Sequence, residues 1–109
     1  IILYSYPSYL GVDVITASNK DMPASLLGFT NGKVIVVKDS TDKEVSDFVL
    51  LHEEEHVKDM SASEMEVDKR ALRRLISRKD EKKIKSALDL LEKRWNIKIP
   101  SPDEFFIQF

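Results

Sequence analysis

The stretch that decides this fold runs Glu44-Val-Ser-Asp-Phe-Val-Leu-Leu-His-Glu-Glu-Glu-His-Val-Lys58. Its apolar run, Phe48 to Leu51, leads directly into the first of the chain's two histidines. A helix that is apolar over most of its circumference is buried, so we expect a central helix here, from about Asp42 to Asp59. Thr41 and Glu44 have the spacing of a capping box that starts such a helix.

His52 and His56 are four residues apart, which places both rings on one face of a helix and lets both bind a single metal ion. Glu53 follows the first histidine and is positioned to take a proton from a metal-bound water, as a general base does. The chain has no cysteine, so any metal must be held by histidine and carboxylate. The spacing therefore predicts a metal site, although three glutamates in a row also fit a solvated acidic face.

A catalytic zinc ion usually has three protein ligands and one position left for water. The next predicted helix, Glu64 to about Arg78, carries Glu64 and Asp68 on one face, because these residues are also four apart. We expect Glu64 to be the third ligand and Asp68 to accept the other ring N–H of a histidine. The alternative is that Glu64 only closes a capping box with Ser61 and that Asp68 is exposed.

The remaining segments predict an α+β fold. We expect a small sheet of about three strands packed on these two helices, then a third helix and an extended tail. Asn31-Gly32 between β-prone runs indicates a hairpin, and Val34 to Val37 is the clearest strand. Asp80 has the features of an N-cap for the third helix, whose apolar residues recur every three or four positions.

The tail differs in composition from the domain before it. Pro100 and Pro102 argue against regular helix there, whereas its aromatic residues are too apolar to remain in water. The sequence therefore divides into a domain, residues 1–99, and a C-terminal tail, residues 100–109.

Composition limits the classes of function. At 109 residues, 42% hydrophobic and 33% charged, the chain is one globular domain with a modest core. A net charge of -2 gives no general attraction to nucleic acid, and no apolar run approaches the roughly 20 residues that span a bilayer. We therefore expect a soluble, cytoplasmic domain with no nucleic-acid partner and no membrane insertion.

The pattern His52-Glu53-x-x-His56 followed by Glu64-x-x-x-Asp68 resembles the gluzincin zinc peptidases, which have HExxH and then ExxxD on a second helix. The strand from Gly32 and the run into His52 are similar to the membrane-embedded gluzincins of the CAAX-protease and HtpX type. The small size matches the minigluzincins, which are soluble minimal versions. The likeness covers about residues 24 to 76. It implies one Zn²⁺ per chain, bound by His52, His56 and Glu64, with Glu53 as base and acid and Asp68 behind a histidine.

The resemblance also implies a latent form, because members of the family are described with a C-terminal segment that blocks the cleft. The tail residues that would do this here are Asp103, Glu104, Phe105, Phe106 and Phe109. The alternative is that the tail simply covers the core. Larger gluzincins stabilise the oxyanion with a downstream Tyr or His that this chain lacks, which leaves Arg73, Arg74 or Arg78 for that role.

The sequence thus predicts a latent zinc endopeptidase that acts on a peptide or protein laid along the strand from Val34 to Val37. It would be a monomer, or a dimer formed through the C-terminal segment. Two alternatives remain open. One is a non-enzymatic domain in which zinc only joins the two central helices, and the other is a metal-free interaction module that uses the apolar stripe of the third helix.

Overall fold

A four-stranded mixed sheet forms one side of the molecule. A computed structural model of the chain describes residues 2–7, 11–18, 20, 22, 26–38 and 43–109. The strands are β1 (Ile2–Pro7), β2 (Asp13–Ala17), β3 (Gly28–Thr30) and β4 (Val34–Lys38), in the spatial order β1-β2-β4-β3. β1 and β2 pair antiparallel, β2 and β4 parallel, and β4 and β3 antiparallel. The sheet therefore has one strand more than the sequence predicts.

The predicted hairpin joins β3 to β4. The side-chain oxygen of Asn31 accepts hydrogen bonds from the backbone N–H groups of Lys33 and Val34, at 2.9 and 3.1 Å. Gly32 has a φ of 89°, a left-handed conformation that glycine adopts without steric cost. The Asn-Gly turn thus places β3 at the edge of the sheet, beside the central strand β4.

Four helices follow the sheet. They are α1 (Lys43–Lys58), α2 (Glu64–Ser77), α3 (Glu81–Trp95) and α4 (Pro102–Gln108). Together with the sheet they confirm the α+β class. No helix among these described segments is long and apolar enough to cross a membrane.

The residues that begin α2 and α3 can be compared with the N-caps predicted for these helices. Asp80 caps α3 as predicted, since its carboxylate accepts from the backbone N–H of Lys83. The predicted box of Ser61 with Glu64 is wrong, because Ser63 caps α2 and accepts from the N–H of Glu66. The predicted cap of α1 at Thr41 lies outside the described residues.

α1 lies at the centre of the fold and is buried on two sides. Phe48 and Leu51 pack into a core between the helices, whereas Val49 packs with Val14 and Ile35 of the sheet. This two-sided burial explains the apolar run before the first histidine. α1 is therefore held rigidly between the sheet and the other helices, and its side chains have well-defined positions.

The C-terminal segment is helical, so the predicted extended tail is wrong. Pro102 lies in the first turn of α4, where the missing backbone N–H has no intrahelical acceptor and costs nothing. Phe105 is fully buried in the same core as Phe48 and Leu51. Hence α4 packs on α2 and covers the helical core, which is the alternative that the sequence left open.

Candidate metal centre

Two helices bring three ligand-type side chains to one point. His52 and His56 are one turn apart on α1, and their ring centroids are 4.8 Å apart. Glu64 is the first residue of α2, where a short turn after α1 returns the chain to the histidines. Its carboxylate oxygens lie 3.0 Å from Nε2 of His52 and 2.9 Å from Nε2 of His56. The structure thus brings together the three residues that the sequence predicts, and this group can hold a metal ion.

Asp68 lies behind the first histidine, as predicted. It is fully buried, and its Oδ1 is 2.7 Å from Nδ1 of His52. Burial raises the pKa of the Asp68 carboxyl, but the hydrogen bond from His52 and the charge of Arg94 outweigh burial and leave the pKa below its usual range. Asp68 is therefore an ionised acceptor, and the proton of this hydrogen bond belongs to Nδ1 of the imidazole.

This tautomer has a consequence on the opposite side of the His52 ring. With the proton on Nδ1, neutral His52 presents a lone pair at Nε2, and the atom facing it at 3.0 Å is an oxygen of Glu64. Two acceptors at that distance repel each other unless a proton or a cation lies between them. The donor set therefore fits a bound cation.

The spacing also suits a small ion. Tetrahedral zinc with bonds of about 2.0–2.1 Å holds its ligand atoms roughly 3.3 Å apart. The Glu64 oxygens are a few tenths of an ångström closer than that to the two imidazole nitrogens. Glu64 has a side chain that is 59% exposed, so it can make this small movement without disturbing the core.

Glu53 is buried beside the three ligands, with an exposed fraction of 5%. The pKa of Glu53 is raised from 4.5 to about 7, chiefly by burial; His52 lowers the pKa, the Glu64 carboxylate raises it, and both smaller contributions are included in that value. A carboxyl group with a pKa near neutrality suits proton transfer in both directions. The position and pKa of Glu53 are those of a general base and acid.

β3 closes over Glu53. A Cβ on Gly28 would lie 2.7 Å from Cγ1 of Val49, 2.9 Å from the carbonyl oxygen of Val36 and 3.4 Å from Oε2 of Glu53. No side chain fits there, so only glycine lets this strand approach α1 so closely. The backbone of β3 is thereby held close to the carboxyl group of Glu53.

A cleft of about 720 Å³ opens at this point. One wall is the segment from Leu26 to Thr30, the floor is α1 with its histidines, and the other wall is the end of α3 with Lys93 and Arg94. Its volume is within the range of ligand-binding sites. Leu26 and Phe29 are exposed apolar residues of the first wall, so the cleft has an apolar side and a basic side.

The strand predicted to carry the substrate is not available for pairing. β4 is hydrogen-bonded to β2 on one side and to β3 on the other, so it has no free edge. β3 is the strand at the end of the sheet, and it lines the cleft. The prediction that a peptide pairs with β4 is therefore wrong, and β3 is the edge strand that borders the cleft.

The run of three glutamates is not a solvated face. Glu54 and Glu55 are both buried, and the guanidinium of Arg74 bonds to one oxygen of each at 2.9 Å. Lys58 also bonds to Glu55, at 3.0 Å. Arg74 is thus committed to this ion-pair cluster and does not line the cleft, contrary to its predicted role at the oxyanion.

The other arginines predicted for that role are also elsewhere. Arg73 is exposed and stacks on the ring of Phe106, with 4.8 Å from its guanidinium carbon to the ring centroid. Arg78 lies 3.8 Å from Asp47, and neither residue lines the cleft. The arginine that does line the cleft is Arg94. Sequence reasoning missed it because nothing in the pattern of α3 sets it apart from the other cations of that helix.

The predicted latency residues do not reach the cleft in this structure. Of the described residues that line it, none comes from residues 100–109. Phe105 is in the core, Phe106 lies under Arg73, and the backbone oxygen of Phe109 accepts a hydrogen bond from Lys69. Asp103 and Glu104 occupy the first turn of α4. The tail does not block the cleft of its own chain in this structure. That the tail of a second chain blocks the cleft remains a prediction.

Comparison with the models of known protein families, with curated proteins and with solved structures finds no match to this chain.

Proposed function

We propose that this protein is a zinc-dependent endopeptidase. The observation that carries the proposal is the convergence of His52, His56 and Glu64 in an open cleft, directly beside the buried carboxyl group of Glu53. Two imidazoles and one carboxylate are a ligand set of catalytic zinc sites, which leave a fourth position for water or substrate. Zinc is favoured over magnesium or calcium because imidazole nitrogen is a poor ligand for those ions.

The residues of the chain divide the work of peptide hydrolysis. Zinc bound in such a site supplies a Lewis acid for the peptide carbonyl and lowers the pKa of water toward about 7. Glu53 takes a proton from the attacking water as its oxygen bonds to the carbonyl carbon. Glu53 then gives that proton to the amide nitrogen as the C–N bond breaks, which leaves a carboxylic acid and an amine that exchange a proton with each other or with solvent. Asp68 holds the His52 ring in the required tautomer throughout.

The substrate is proposed to be an extended peptide segment. β3 is at the edge of the sheet and lines the cleft, so the backbone groups on its outer edge, which pair with no other described strand, can pair with an extended chain. Leu26, Phe29 and Met60 expose apolar surface along the same wall. We therefore expect a preference for segments with large apolar side chains next to the cleaved bond.

The test combines metal content with cleavage. Protein loaded with Zn²⁺ should bind one equivalent and cleave internally quenched peptides of mixed sequence. Glu53→Gln should retain the zinc and lose at least 10²-fold in kcat, because it removes only the base. Glu64→Ala should lose both zinc and activity, whereas Glu66→Gln, on the same helix, should keep both.

Three outcomes would contradict the proposal. Zinc binding with no cleavage by the parent protein would favour a metal ion that only joins α1 to α2. Activity that survives Glu53→Gln would remove the base from the assignment. A parent protein that binds no zinc would favour the metal-free module.

A further inference from the structure

Arg94 is placed by the same carboxylate that orients the metal-site histidine. One guanidinium nitrogen, Nη1, lies 2.6 Å from Oδ1 of Asp68, which is the oxygen that also accepts from Nδ1 of His52. The indole N–H of Trp95 donates to the other oxygen of Asp68 at 2.8 Å. The end of α3 is thus tied to the metal site by two hydrogen bonds to one buried side chain.

Arg94 has donor capacity beyond this ion pair. A guanidinium has five N–H donors, and among the described residues Arg94 donates only to Asp68. Its side chain is 32% exposed, and the residue lines the cleft together with Glu53 and Glu64. An arginine that served only to neutralise Asp68 would not need to reach the cleft. The remaining donors are available to a group bound there.

Peptide hydrolysis needs such a donor. As water adds to the carbonyl carbon, the carbonyl oxygen becomes negatively charged, and fixed donors aimed at it lower the barrier. No histidine beyond the two metal ligands exists in the chain, and every tyrosine lies within the first nine residues. A guanidinium held by a buried carboxylate is preorganised, since it loses little freedom when the charge develops.

We propose that Arg94 is a catalytic residue that binds the oxyanion formed during hydrolysis. The proposal rests on the function proposed above, because the oxyanion arises only if the cleft hydrolyses an acyl group. Asp68 then has two roles: it orients His52 for the metal and Arg94 for the substrate oxygen. The coupling of both groups to one oxygen fixes their relative positions.

The test compares Arg94→Lys and Arg94→Met with Arg73→Met, an exposed arginine outside the cleft. Both Arg94 variants should lose about 10²–10³ in kcat with little change in KM, because the interaction is made only in the transition state. Arg94→Lys keeps a cation beside Asp68, so it remains informative if Arg94→Met folds poorly. Arg73→Met should behave as the parent protein.

Inhibitor binding separates this role from a positioning role. Each zinc-loaded protein is titrated by calorimetry with a phosphinic peptide, which carries an anionic tetrahedral centre, and with a peptide hydroxamate, which binds chiefly through the metal. The Arg94 variants should lose about 10²-fold or more in affinity for the phosphinic peptide only. Equal losses for both inhibitors, in step with weaker zinc binding, would mean that Arg94 acts through Asp68, and an unchanged kcat would equally overturn the proposal.

The same titration distinguishes the two proposals. If the parent protein binds the phosphinic peptide through Arg94 but cleaves no peptide, the anion site stands and the peptidase does not. If the parent protein cleaves peptides and the Arg94 variants still bind the phosphinic peptide as tightly, the peptidase stands and this inference fails. If the zinc-loaded parent binds neither inhibitor, both are overturned.

Discussion

Buried glutamates on the two sides of α1 differ in whether a cation pairs with them. On one side Glu54 and Glu55 are buried, and the forked guanidinium of Arg74 pairs with both. On the other side Glu53 is equally buried, yet among the described residues no ion pair or hydrogen bond satisfies its carboxyl group, and its pKa rises to about 7. Consecutive glutamates of one helix thus have different roles, set by what faces them.

The difference separates structure from function. Buried charges that are fully paired hold elements together, and they are costly only when one partner is removed. Groups whose pKa is displaced in a cleft are poised for chemistry or for a ligand. The paired side joins α1 to α2 through internal cations, whereas the other side presents acceptors that an external cation would satisfy.

The largest expected effect is on the paired side. Arg74→Met removes the guanidinium that pairs with buried Glu54 and leaves buried Glu55 with Lys58 alone, so we expect a loss of about 3–5 kcal/mol in the free energy of unfolding. Urea denaturation measures it. Lys58→Met is the matched control, because the Lys58 side chain is 41% exposed and such a pair contributes less than about 1 kcal/mol. Similar losses for both variants would contradict the assignment of a buried, structural cluster.

The buried carboxyl group of Glu53 should make the free energy of unfolding depend on pH. In metal-free protein the Glu53 carboxyl has a pKa of about 7, against 4.5 in the unfolded chain. Between these values the folded protein binds a proton that the unfolded chain has lost, so this contribution to stability falls as pH rises through that window. Over the whole window it amounts to at most about 3 kcal/mol.

Glu53→Gln removes that pH dependence. With the metal chelated, the variant should gain stability relative to the parent protein between pH 5 and pH 8, as measured by urea denaturation at both values. Glu81→Gln, an exposed glutamate of α3, is the control and should show no such gain. A parent protein and a Glu53→Gln variant with parallel pH profiles would show that Glu53 is solvated after all.

The smallest expected effect is the loss of zinc affinity when Asp68, the residue behind His52, is changed. Asp68→Asn keeps the shape of the side chain but weakens the hydrogen bond that fixes the His52 tautomer, so zinc affinity should fall by about 10–100-fold. Competition with a chromophoric chelator measures it. Asp89→Asn, on an exposed position of α3, should leave the affinity unchanged. An unaltered affinity in Asp68→Asn would place Asp68 with the structural charges instead.

The candidate metal ligands and Asp68 were predictable because each pair of them is defined by a short spacing within one helix. Residues four apart share a helix face whatever the helix packs against, which pairs His52 with His56 and Glu64 with Asp68. The prediction that the two pairs converge needed only a short turn between two helices, and the structure confirms that Glu64 reaches the histidines. The hairpin at Asn31-Gly32 was predictable for the same reason, since a turn is specified by its own residues.

The predictions that were wrong, for the tail and for the arginines, failed because they depend on the position of an element in the fold. The tail was predicted to be extended because two prolines suggested a helix breaker, but Pro102 falls in a first turn, where proline is tolerated. Arg74 and Arg94 are both cations of amphipathic helices, and no local pattern shows which one faces the cleft. That depends on how α2 and α3 are rotated against α1, and many distant contacts set this rotation.

The sequence by itself determined the central helix and the pairing of His52 with His56 and of Glu64 with Asp68, because each depends on the periodicity of a single element. Tertiary structure alone decided that β3 rather than β4 borders the cleft, that Arg74 is an internal counter-ion, and that Arg94 faces the site. The order of the strands depends on how they pair in the sheet, and the places of the two arginines depend on which buried carboxylate each one meets. Packing between elements distant in the chain settles that choice, and the chemistry of a single segment does not.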